Sequence, residues 1–153
     1  MQRWRDFGFG AYMGALAFLG MIAAPGAAAA PLSGKTIFAC TSVSGKMLRF
    51  AEVGREMRYS YGKAHGAPDL AFAVPLASVR YGGSGPADAG SWYITREISL
   101  SFNGTSYTGH WAYHRGNDSE TAGVTVARGG RTLAETGCAR DIEMNIPEPE
   151  NVE

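Results

Sequence analysis

Apolar and polar residues alternate with a period of two through most of residues 36–138, and turn dipeptides cut the alternation into short runs. Successive side chains of a strand point to opposite faces, so each run reads as a half-buried strand. The pattern predicts strands near 36–43, 46–53, 56–62, 69–75, 77–82, 91–102, 105–115, 121–128 and 131–138. Their connections hold Ser44-Gly45, Gly54, Gly62 to Pro68, Gly82 to Gly90, Asn103-Gly104 and Gly129-Gly130. No convincing run carries the 3.6-residue apolar spacing of a helix. The expected fold is all-β, a small antiparallel barrel or sandwich of about eight strands with meander connections.

Asn103-Gly104 is the strongest short-range hairpin signal in the chain, because a two-residue type I′ turn needs positive φ at both positions. Counting outward from it sets Phe102 opposite Thr105, Leu100 opposite Tyr107, Ile98 opposite Gly109, Arg96 opposite Trp111 and Ile94 opposite Tyr113. The other face pairs Ser101 with Ser106, Ser99 with Thr108, Glu97 with His110, Thr95 with Ala112 and Tyr93 with His114. One face is aromatic and aliphatic; the other carries hydroxyls, a carboxylate and two histidines.

This register decides what the histidines are. Four residues along a strand span about 13 Å at ~3.3 Å per residue. A tetrahedral zinc holds its nitrogen ligands at about 2 Å. His110 and His114 are therefore expected to form no metal site; Glu97 is expected to pair with His110, and Tyr93 to pack beside His114. Arg96 interrupts the apolar face opposite Trp111. It reads as an arginine laying its stem over the core near one end of the barrel, or as a cation stacked on an indole at a binding mouth.

The ends of the chain differ from its middle. Arg3 and Arg5, the apolar run Ala11–Ala24 and the small residues up to Ala30 form a signal-peptide pattern, too short in its apolar part for the roughly 20 residues of a membrane span. The expected organisation is a signal peptide over 1–29, a single β domain over 30–140 and an acidic tail over 141–153, frayed beyond Asn145. The exported domain is expected to be periplasmic or secreted and not membrane-embedded after cleavage. Its two cysteines, Cys40 and Cys138, then read as a disulfide tying the first strand to the last. From residue 30 onward there are 12 Lys/Arg and 13 Asp/Glu. That balance argues against nucleic acid or an anionic membrane as a main partner.

Catalytic patterns are missing: no GxSxG elbow, no phosphate-cradling glycine loop and no CxxC. The chain is expected to be no enzyme and to need no cofactor; a small hydrolase is the least favoured alternative.

Two resemblances add to this reading. "FAC" (38–40), "GK" (45–46), "YSYGK" (59–63), "PDLAF" (68–72) and "GCA" (137–139) resemble a family of small exported β-proteins of proteobacteria. That resemblance implies export and the disulfide but carries no activity. "ASVRY" (77–81) and "HWAYHRGND" (110–118) are similar to motifs of the bacterial C-type lysozyme inhibitors, with Val79 where the motif has glycine. The second resemblance implies an antiparallel barrel in which Ser78, Tyr81 and Arg115 meet the lysozyme cleft. The expectation is thus a binding module for an envelope protein or small molecule, with Ser78, Tyr81, Arg96, Trp111 and Arg115 as candidate contacts. Its mouth would be lined by loops 62–68 and 82–90. The alternative is a proteinaceous inhibitor of C-type lysozyme.

Overall fold

The computed structural model describes residues 33–84 and 92–148. The expected signal peptide and most of the 82–90 stretch lie outside the described residues. Nine antiparallel strands form one curled half-barrel: β1 (Lys35–Ser42), β2 (Met47–Val53), β3 (Glu56–Gly62), β4 (Leu70–Pro75), β5 (Arg80–Gly82), β6 (Tyr93–Phe102), β7 (Thr105–His114), β8 (Ser119–Arg128) and β9 (Arg131–Met144). A short 3₁₀ turn, Leu76–Ser78, links β4 to β5. The sheet order is β4-β3-β2-β1-β9-β8-β7-β6-β5, a meander in which the first and last strands lie side by side.

Local chemistry accounts for the hairpins. Asn103 (φ 49°) and Gly104 (φ 73°) both take the left-handed conformation of a type I′ turn, as do Gly129 (56°) and Gly130 (77°). The β6–β7 ladder pairs every residue from Tyr93↔His114 to Phe102↔Thr105 as counted from the turn.

The core lies on the concave face. One cross-strand row carries Phe38, Phe50, Tyr59 and Phe72, paired in succession across β1 to β4. Their rings touch at centroid separations of 6.0, 5.0 and 5.1 Å. No ladder joins β4 to β5 or β6. Side chains cover that seam instead: Phe72 stacks on Phe102 at 4.4 Å and meets Tyr107 at 4.7 Å. The opposite seam, β1 against β9, is hydrogen-bonded and bulged, and the Cys40–Cys138 disulfide crosses it with its Cα atoms 5.7 Å apart.

The tail departs from expectation. β9 continues past residue 140 to Met144, with Ile142 and Met144 packed on the core and Ile146 buried in it. Asn145 N–H donates to the Ile37 carbonyl, fixing the segment beyond the strand. Apolar side chains at alternate positions thus dock a stretch whose acidic composition suggested solvation.

Tyr59 sits in the middle of the aromatic row, and its burial, with Tyr107 and Tyr61 nearby, pushes its phenol well above the ordinary value of 10. The folded state therefore holds this proton while the unfolded chain releases it. Its contribution is complete below pH ~10 and is lost as the pH rises above that value toward the folded pKa. Tyr59→Phe is expected to leave stability at pH 7 nearly unchanged and to flatten the decline above pH 10, as read by urea unfolding at pH 8 and 10.5. An unaltered alkaline decline would assign the effect to other tyrosines.

Candidate functional site

The register separates the residues that the inhibitor motifs would bring together. Tyr81 pairs with Ile98 on the inward-facing row of β6. Arg115 follows His114, and its backbone N–H donates to the Trp92 carbonyl at 2.8 Å. The two sites are six positions apart along β6, about 20 Å at the rise of a strand. Ser78 closes the 3₁₀ turn by donating its hydroxyl to the Pro75 carbonyl at 2.7 Å. Burial pushes the Tyr81 phenol up, with the Glu52 carboxylate adding to the shift.

Arg96 and Trp111 are cross-strand partners, but neither offers its polar group outward as a pair. Arg96 is 5 % exposed. Its Nη1 donates to the Ser84 and Thr95 carbonyls, both at 2.9 Å, and its Nη2 to Glu148 Oε1 at 2.7 Å. This is a clamp: one buried guanidinium ties the segment after β5 and the segment after β9 to β6. Trp111 Nε1 donates to Glu120 Oε2 at 2.9 Å, and the indole stacks on Tyr113 at 6.2 Å. Tyr113 in turn donates to Asp118 at 2.6 Å, a bond that raises its pKa.

The two loops expected to share a mouth do not share one. Gly62 ends β3 opposite Met47, the start of β2, whereas Gly82 leads from β5 toward the end of the sheet where β6 begins. Residues 62–68 and the described flanks of the 82–90 stretch therefore lie at opposite ends of the strands. Asp69, after the first loop, pairs with Lys46 at 2.8 Å, and that ammonium holds its carboxyl below the usual range.

A different group of residues gathers where β6, β7 and β8 end together. Tyr93, His114 and Ser119 are cross-strand neighbours on the outer face. Beside them Trp92 is 64 % exposed and Tyr93 53 %. The His114 imidazole stacks with the Trp92 ring at 6.3 Å and 19°, and takes the Tyr93 ring edge-on at 4.5 Å. His114 Nδ1 lies 2.6 Å from Asn117 Oδ1 and donates to it, as does the Ser119 hydroxyl at 2.7 Å. Gly116 completes the arrangement: a methyl group there would sit 3.0 Å from Trp92 Cε3 and 3.0 Å from His114 Cε1. The turn approaches the rings closely because it has no side chain, and the indole is thereby held although exposed.

A second concavity, about 420 Å³, lies over β1, β2 and β9 and is lined by Thr36, Thr41, Arg49, Asp141 and Glu143 among others. Its polar groups bond to one another. Thr41 donates to Asp141 at 2.8 Å, and Arg49 donates to Thr36 at 2.8 Å. Asp141 has φ 54°, a sparsely populated conformation for a non-glycine residue, at an irregular point of the β1–β9 ladder.

The counted register places Tyr93 next to His114 and predicts packing there, and it assigns no role to Trp92. The available signals were a tryptophan between a glycine-rich stretch and a strand, and a glycine at position 116 in the turn that faces it.

No family model, no curated protein and no solved structure matches this chain, so both resemblances rest on the quoted residues alone.

Proposed function

We propose that this chain is an exported, non-catalytic binding module of the cell envelope, and that its binding surface is the aromatic end of β6, β7 and β8. The observation that carries this reading is the pair Trp92 and Tyr93. Two large aromatic side chains stay more than half exposed while fixed against His114 and Gly116. Isolated exposed apolar residues are common, but a held aromatic group bordered by polar side chains marks an interaction surface. The leader pattern and the paired cysteines support export. An inhibitor of C-type lysozyme is the second reading, with less support, because along β6 the Arg115 backbone stands about 20 Å from Tyr81 at the rise of a strand.

The test is co-sedimentation of the purified protein with isolated envelope material, comparing the wild type with Trp92→Ala and Tyr93→Ala. Retention of the wild type, weakened about tenfold or more in both variants, is the expected result. Equal retention of all three would remove this surface from the function.

A further inference from the structure

Resting on that reading of the surface, we infer that the Trp92–His114–Asn117 group is a saccharide-binding site that takes one or two pyranose rings. Its size argues first. An exposed aromatic pair of this kind offers roughly 200–300 Å², given the 150–250 Å² that a tryptophan or tyrosine buries when fully covered. A stable protein partner needs about 800 Å² per side with an apolar centre. Here the rings meet His114, and the polar Asn117 and Ser119 follow directly behind it. The patch is too small and too quickly polar for that class of partner, and it is the width of a sugar.

The chemistry agrees. The axial C–H bonds of a pyranose present a weakly positive face, which suits the negative face of an indole. Hydroxyls around the sugar's rim need donors and acceptors already aimed. The Asn117 side chain is such a group. Its Oδ1 accepts from His114 and Ser119, which fixes the carboxamide plane. Its Nδ2 makes no hydrogen bond among the described residues. Two N–H donors on a fixed amide, beside an exposed and immobilised indole, match a hydroxyl or carbonyl oxygen on a bound ring. Among the described residues of the turn 115–118, Arg115 is the one cation and Asp118 the one carboxylate, so the turn carries no net charge. The composition therefore suits a neutral sugar and not a phosphate or an anionic lipid surface. Preorganisation of both the ring and the amide reduces the ordering cost of binding.

The experiment is a titration of the purified protein with three neutral tetrasaccharides: chitotetraose, cellotetraose and maltotetraose. Indole fluorescence is read in a Trp4→Phe/Trp111→Phe background, so that Trp92 is the one tryptophan left. The expected result is a saturable change with at least one of them at up to 10 mM sugar. By calorimetry, Trp92→Ala should weaken that binding at least tenfold and Asn117→Ala about fivefold. Circular dichroism should show both variants folded. A response that survives Trp92→Ala would overturn the assignment, and so would no response to any of the three sugars. In the latter case, envelope co-sedimentation lost in Trp92→Ala leaves the binding surface standing and discards only the saccharide. No sugar response together with co-sedimentation unchanged in Trp92→Ala removes the surface as well.

Discussion

Phe50→Ala is expected to lower the unfolding free energy by about 3–5 kcal/mol, the usual cost of emptying a phenylalanine site in a packed core. Phe50 is fully buried. It touches Phe38 on one side and Tyr59 on the other, in the middle of the aromatic row. Across the barrel it meets Gly109, where a methyl group would come within 3.1 Å of its ring. Its far wall is therefore backbone, which cannot move in to fill the hole. Collapse is restricted, and the cost should fall in the upper part of the range. Thermal unfolding should show a midpoint lower by ~12–20 °C at about 4 °C per kcal/mol for a domain of this size. Phe50→Leu keeps most of the volume and should cost about 1.5 kcal/mol. A loss under about 1 kcal/mol for the alanine variant would mean that the aromatic row closes up around the gap.

The same row shows which parts of the fold could be read from residues alone. Period-two alternation and the Asn103-Gly104 turn were sufficient for the β6–β7 register because both signals are local: a two-residue turn leaves no freedom of pairing. The neighbourhood of β1 and β9 was legible only through Cys40 and Cys138, since nothing else in the sequence links residues 98 positions apart. The end of β9 departs from what composition predicts for a physical reason. Ile142, Met144 and Ile146 alternate as a strand should, but they stand among carboxylates that favour solvation in any count of charge. Burial of three apolar side chains outweighs that preference, since the acidic positions face water on the other side. The alternation leaves Arg96 between a stem laid over the core and a cation at a mouth; its guanidinium is buried, and its partners, Ser84 and Glu148, come from segments that only tertiary structure brings close. The Trp92 surface stayed hidden because alternation predicts which face a side chain takes, not whether anything covers that face.

Breaking the Cys40–Cys138 disulfide is the second change expected to have a large effect, a loss of about 4 kcal/mol. The barrel has two seams, and they are closed by different means. At the open side of the sheet, Phe72 of β4 stacks on Phe102 of β6, and β4 is joined to β5 by the short connection through Leu76–Ser78. Between β1 and β9, the partners are almost a hundred residues apart, so the unfolded chain must lose a large loop-closure entropy before the ladder forms. The cross-link removes that entropy from the unfolded state in advance, by about 4–5 kcal/mol for a loop of this length on the chain-entropy model. Urea unfolding of the Cys40→Ala/Cys138→Ala variant, and of the wild type under reducing conditions, should show the same drop. Both should show a steeper dependence on denaturant, because an uncrosslinked unfolded chain exposes more surface. Agreement between the two would place the effect on the unfolded chain, since alanine and reduced cysteine fill the buried Cys40 position differently. A drop below about 1 kcal/mol in both would mean that the β1–β9 ladder and the docked Ile146 already hold the seam. Typical domains of this kind have only about 5–15 kcal/mol in all. Combined with Phe50→Ala, loss of the cross-link is therefore expected to leave the chain largely unfolded at 37 °C.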